Sequence, residues 1–146
     1  MSTPRLVEDF FERIWNDGNL DAAAELLTPE FSFRGSLGNE MRGREAFKNY
    51  VRSVRLALAD YQCEILSGVA EANQAFAKMC FSGRHVAAFR GYEPTGKFAR
   101  WLGAALFRFE NLVIAELWVL GDLAGLDALL QAQATDRGAM NVEQRA

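Results

Sequence analysis

Residues 83–122 read GRHVAAFRGYEPTGKFARWLGAALFRFENLVIAELWVLGD. The segment holds the only histidine, His85, then a Pro94-Thr95-Gly96-Lys97 turn, then two apolar stretches that end at Gly121-Asp122. Breaks at Tyr92–Gly96 and near Asn111 divide it into strand-length pieces. With the stretch before it, the pattern predicts four strands, over 61–70, 74–91, 97–110 and 112–121, the first two separated by Glu71-Ala72-Asn73.

The half before these strands is helical. Leu6, Phe10 and Ile14, with Val7 and Phe11, follow helical spacing, so a helix is expected over 4–16, with Pro4 in its first turn and Asn16-Asp17-Gly18 ending it. Leu20–Leu27 predicts a second short helix, stopped by Thr28-Pro29. Phe31–Arg34 alternates as a short strand, and Gly35–Gly43 reads as a loop. Arg44–Leu58 predicts a helix with Phe47, Tyr50, Val51, Val54 and Leu58 on one face. A final short helix is expected over 123–133. Helices first and long strands later predict an α+β domain, with helices packed on a strongly curved, mostly antiparallel sheet. Such a sheet, closed on one side by the N-terminal helices, leaves a cone with an interior cavity. A single domain is expected over 1–133, followed by a polar, loose tail over 134–146.

Composition narrows the function classes. The chain has 146 residues, 50% hydrophobic and 12% aromatic, with 11 Phe. A domain of this size buries roughly 68–70% of its unfolded surface, and aromatic residues suit both a core and a ligand pocket. A net charge of −3 with dispersed Lys and Arg argues against a nucleic-acid partner. No apolar run approaches the ~18–20 residues of a membrane span, and the N-terminus lacks the apolar core of a signal peptide, so no membrane partner and a cytoplasmic location are expected. Cys63 and Cys80 read as buried thiols filling core space. One histidine and no acidic cluster at ligand spacing leave too few ligands for a metal. No cofactor is expected.

Strand parity sorts the polar residues. Ala77, Met79, Phe81, Gly83, His85, Ala87 and Phe89 share one face, so His85 should point inward. Phe107, Phe109, Ala105, Gly103 and Trp101 form another apolar face. On 112–122 both faces carry apolar residues, and parity leaves open which side faces the cavity.

The string from Gly83 to Lys97 resembles GTHxGxFxGxxPTGK, and Ile114–Asp122 resembles KIxExWxxxD. Both patterns belong to the SnoaL-like polyketide cyclases, or ester cyclases. Trp15-Asn16-Asp17-Gly18-Asn19-Leu20 and Gly43-Arg44-Glu45-Ala46-Phe47 are similar to the helical half of that family, and the likeness spans residues 5–133. It implies the cystatin-like cone shared with nuclear transport factor 2 and ketosteroid isomerase. It further implies dimers or tetramers joined through the sheet, ring closure by intramolecular aldol condensation without cofactor, Asp122 as acid/base and His85 in the pocket. The outer sheet face is expected to carry Leu102, Leu106, Val86 and Ala88 among Arg84, Arg90 and Arg108, an apolar patch that predicts a homodimer. The chemistry suits these residue types: an aldol needs a base for an acidic C–H and donors for the enolate oxygen. The chain departs from the pattern at Arg84, in place of Thr, at Ala87, in place of Gly, and at Arg34, where many relatives carry His. Arg34 is expected to grip a substrate carboxylate or enolate, or to pair with Asp122. Phe33, Tyr50, Phe89, Phe107 and Trp118 are the expected aromatic lining.

Plainer roles stand beside these. His85 can be a satisfied core histidine, Asp122 an N-cap for the last helix, Arg34 an ion-paired surface arginine, and the aromatics core first. Three functions are thus carried forward: an enzyme of cyclase, isomerase or epoxide-hydrolase type acting on a small hydrophobic molecule, a non-catalytic binding protein for such a molecule, and a dimerisation domain.

Overall fold

The computed structural model describes residues 3–145, with side chains through Asp136. Six strands form one sheet in the order β2-β1-β6-β5-β4-β3. They are β1 (Leu27–Arg34), β2 (Glu40–Arg42), β3 (Leu58–Glu71), β4 (Gln74–His85), β5 (Phe98–Glu110) and β6 (Val113–Gly121). Only the β1–β6 pair is parallel. The helices are α1 (Arg5–Asp9), continued by a π-helical segment Phe10–Asn16, then α2 (Ala23–Leu26), α3 (Arg44–Ala57) and α4 (Leu123–Arg145). This is the expected α+β architecture, with the sheet curved and not closed on itself.

The curvature has local causes. Register slips at Ala59/Gln62 and Ile65/Ser67 on β3 and at Arg108/Phe109 on β5 bend the strands, as bulges do. Asp60, in the left-handed region at φ 55, sits in the first slip. On β1 the pairing jumps from Leu27↔Ile114 to Ser32↔Glu116, and Pro29, which cannot donate to a ladder, falls in the gap. Arg44 covers the freed Leu27 carbonyl at 2.7 Å.

Several boundaries differ from expectation. The second helix stops at Leu26, and β1 begins one residue later. The loop before α3 contains β2, too short for alternation to reveal it. β4 ends at His85 because the chain turns away there: the N–H groups of Val86 and Ala87 bond to the Ala57 carbonyl at the end of α3. Val86 and Ala88 therefore sit in a loop and not on the outer sheet face. The last helix is longer than the expected 123–133, running from Leu123 to Arg145.

The concave face and the helices share one aromatic core. Phe47 of α3 stacks on Phe10 (5.7 Å between centroids) and meets Phe33 at 4.8 Å, while Phe107 sits edge-on to Phe10 and Phe11. Such pairs contribute about 0.5–1.5 kcal/mol each beyond their area. Asn16 clamps the π-helical segment to β3, accepting from the Cys63 N–H at 2.7 Å and donating to its carbonyl at 3.1 Å.

The loop between β1 and β2 lies directly on β6. A Cβ on Gly121 would fall 2.4 Å from the Ser36 carbonyl oxygen, and a backbone atom cannot swing aside. Gly121→Ala should therefore cost about 1–3 kcal/mol by overpacking, a drop of roughly 2–12 °C in Tm for a domain of this size. Thermal unfolding of the variant checks this; an unchanged Tm would mean that the loop is not seated on Gly121.

Candidate active site

Burial settles the parity of β6. Ala115, Leu117 and Val119 face inward, and Glu116, Trp118 and Leu120 face out. The interior between sheet and helices is nearly filled. A cavity of about 20 Å³ remains, room for about one water molecule. Phe11 and Trp15 from the π-helical segment, Phe33, Tyr50, Tyr61 and Phe81 supply most of its aromatic wall. π-helical turns often occur at functional sites. Leu37, Tyr50 and Val54 also line a groove of about 300 Å³ that opens at the mouth of the cone, walled further by Phe89 and Arg90. The groove and the cavity thus share the wall formed by Leu37, Tyr50 and Val54.

His85 ends β4, its backbone held by Lys97 and Gly96. Its ring is fully buried, and neither Nδ1 nor Nε2 has a hydrogen-bond partner. Trp101 on β5 is 3% exposed, and its Nε1 is also unpartnered. Each buried orphan costs about 1–3 kcal/mol, and native structures keep few of them. The Phe89 ring packs against both, at 6.1 Å from the His85 ring and 6.2 Å from Trp101, which also meets Tyr61 and Phe81.

Burial pushes the Tyr50 phenol up to about 12, with the backbone at Leu37 pulling more weakly the other way. Burial also raises Tyr61 and Cys63 well above their usual values. At neutral pH these groups are proton donors, and the Cys63 thiol is a poor nucleophile.

α4 covers this end of the cone, burying Leu126, Leu130 and Gln133. It is tied to the β4–β5 loop by Arg90, which holds Asp127 through two bonds of 2.7 and 3.0 Å, and by Tyr92, which donates to Gln131. The hydrogen bonds from Arg90 hold the Asp127 carboxyl below its usual range. The tie is therefore intact above the ordinary carboxylate pKa and lost as pH falls through the lowered one.

Asp122 follows β6 and is exposed. Its Oδ1 accepts the Gly125 N–H at 2.9 Å, and its carbonyl accepts from Leu126, so it caps α4. No hydrogen bond joins it to His85. Arg34 lies on the outer side of β1. It donates to the Val119 and Gly35 carbonyls, and its guanidinium lies 5.4 Å over the Trp118 ring, itself 42% exposed. Arg34 and Trp118 thus flank an outer groove and not the interior. Phe33 and Tyr50 line the cavity, Phe89 lines its mouth, and Phe107 is buried against α1's continuation. Trp101 is the residue that sequence reasoning undervalued: parity set it among apolar neighbours, and its N–H gave no separate signal. Among the described residues no group of three or more His, Cys, Asp or Glu could hold a metal ion, and no helix is long and apolar enough to cross a membrane.

A curved, open sheet wrapped round a mostly apolar interior, with helices on its concave face, defines the cone-shaped α+β class of fold. The family model of SnoaL-like polyketide cyclases matches residues 5–130, and the chain belongs to that family. Membership supports a function of the cyclase or isomerase type. Similar solved structures include TsrD from Streptomyces laurentii, 27% identical with a TM-score of 0.76, covering 86% of this chain and 92% of that one. A SnoaL-like polyketide cyclase from Agrobacterium tumefaciens is 14% identical with a TM-score of 0.74, over 89% and 98%. A protein of ketosteroid isomerase-like fold from Catenulispora acidiphila is 16% identical with a TM-score of 0.73, over 92% and 95%. No curated protein matches the chain significantly.

Proposed function

We propose that this chain is an acid–base enzyme acting on a small, neutral, hydrophobic carbonyl compound, by enolisation followed by ring closure or isomerisation. The observation that carries this reading is His85, fully buried with both ring nitrogens unpartnered. A structural histidine would have its nitrogens paired; one kept unpaired among aromatic rings is suited to a ligand. A neutral imidazole donates through one nitrogen and accepts through the other. The Trp101 N–H adds a second donor for an enolate oxygen. Asp122 is assigned as the acid/base from the family resemblance: one carboxylate oxygen caps α4, and the other remains for a proton. Turnover of a panel of β-keto esters, enones and epoxides tests the reading. Product formation that depends on His85 and Asp122 supports it, and inertness to the whole panel counts against it. Epoxide opening would point to the hydrolase variant.

One pair of observations favours a second reading, a non-catalytic binding protein: Asp122 is exposed and caps a helix, and the free interior volume is only about 20 Å³. Tight binding of a panel member without turnover would establish it.

We also propose that two copies pair through the outer sheet face. Phe76, Leu106 and Trp118 lie side by side across β4, β5 and β6, each 42–44% exposed, with Leu102 and Leu120 alongside. A contiguous apolar patch of this kind is a candidate interface, and two-fold pairing is the commonest closed arrangement. Light scattering at micromolar concentration should give the mass of a dimer, and Leu106→Glu should give that of a monomer. A wild-type monomer would rule the proposal out.

A further inference from the structure

His85 and Trp101 present three unpartnered ring nitrogens to the interior, yet neither lines the small cavity. The ring in contact with both is Phe89. It is 7% exposed and forms part of the wall of the groove. Unlike the other core aromatics it belongs to neither strand nor helix. Its backbone is bridged to Tyr92 across a tight turn in which Arg90 and Gly91 are left-handed, at φ 49 and 83. The turn is fastened to α4 by Arg90–Asp127 and Tyr92–Gln131, all at least partly open to water. Among the described residues no carboxylate, ammonium or guanidinium side chain is buried. With no fixed charge in the interior, a neutral occupant avoids the cost of burying an unpaired charge.

We propose that Phe89 fills the place of a ligand's ring. When it swings out through the groove, a single neutral ring bearing a carbonyl takes its place, with the Trp101 N–H and His85 bonding the carbonyl oxygen. The inference rests on reading the interior as a ligand pocket, but it concerns binding alone. It also accounts for the small free volume, because the site already holds a side chain of the protein.

The test removes the plug. Phe89→Ala is titrated calorimetrically with acetophenone and with ethylbenzene, two probes of like shape that differ in the carbonyl. The variant should bind acetophenone about five- to thirtyfold more tightly than ethylbenzene, the worth of one to two net hydrogen bonds. Adding Trp101→Phe or His85→Leu should reduce that preference. If Phe89→Ala does not fold, Phe89→Leu takes its place. A folded variant that binds neither probe, or both equally, overturns the proposal. The movement is read separately in the intact chain: diethyl pyrocarbonate reports on its single histidine. Arg90→Gln should raise the rate of His85 modification about two- to fivefold, the worth of a partly exposed ion pair, at urea concentrations that leave the fold intact. A rate unchanged by Arg90→Gln, or governed only by global unfolding, overturns the gate. Selective binding without turnover on any substrate would defeat only the enzymatic reading; turnover without carbonyl selectivity in Phe89→Ala would defeat only this one.

Discussion

Asp122→Asn is expected to lower turnover of an active carbonyl substrate by about 10²–10⁴, the usual contribution of a placed acid or base, while the melting temperature barely moves. Asparagine keeps the shape of the side chain, and its amide oxygen can accept the Gly125 N–H that Asp122 Oδ1 now takes at 2.9 Å. It cannot take a proton. Asp122→Ala should lose both the activity and the cap, the latter worth about 1 kcal/mol. The pair separates two roles that share one side chain, because only proton transfer distinguishes Asn from Asp at this position. If Asp122→Asn works at the wild-type rate, the residue is a cap and the proposed chemistry has no base.

His85→Leu should move stability and activity in opposite directions. The histidine is fully buried with two unpaired nitrogens, and an apolar side chain of similar volume removes the desolvation cost of both. The variant should gain about 2–6 kcal/mol, the cost of two unpaired groups, read as a higher midpoint in urea with an unchanged slope. Its turnover should fall by about 10²–10⁴ if the imidazole touches the substrate. A site kept at the expense of stability behaves this way. A core histidine with unnoticed partners would do the reverse: His85→Leu would then destabilise the fold, which would remove the observation on which the proposed function stands.

Much of the scaffold was legible because its patterns are local. The helical spacing of Phe47, Val51 and Val54 follows from the chain alone, and these residues, with Ala57, form the buried face of α3. The alternation from Ala77 to Phe89 put one set of side chains inside before any partner strand was known, and burial follows it as far as His85, where β4 ends, apart from Cys80, which is buried as well. The order of helices and strands, with the motifs around His85 and Asp122, pointed to the family that the sequence model matches over residues 5–130. β2 was missed because three residues show no period. The end of β4 was missed because its cause, the Ala57 carbonyl drawing in Val86 and Ala87, lies nearly 30 residues away in sequence.

What the sequence determined by itself, then, is the set of longer elements, the α+β class and the inward course of β4, since period and turn chemistry are properties of neighbouring residues. Tertiary structure alone decided which face of β6 is inside, because both faces are apolar and only the register with β5 and β1 distinguishes them. It set Arg34 over Trp118 on the outer face and Asp122 at the start of α4. It filled the interior with rings contributed by distant segments. It also left His85 and Trp101 without partners, and that could not be read in advance: an unsatisfied polar atom is defined by everything packed around it, and those neighbours include Tyr61 of β3, Phe81 of β4 and Phe89 of the loop that follows.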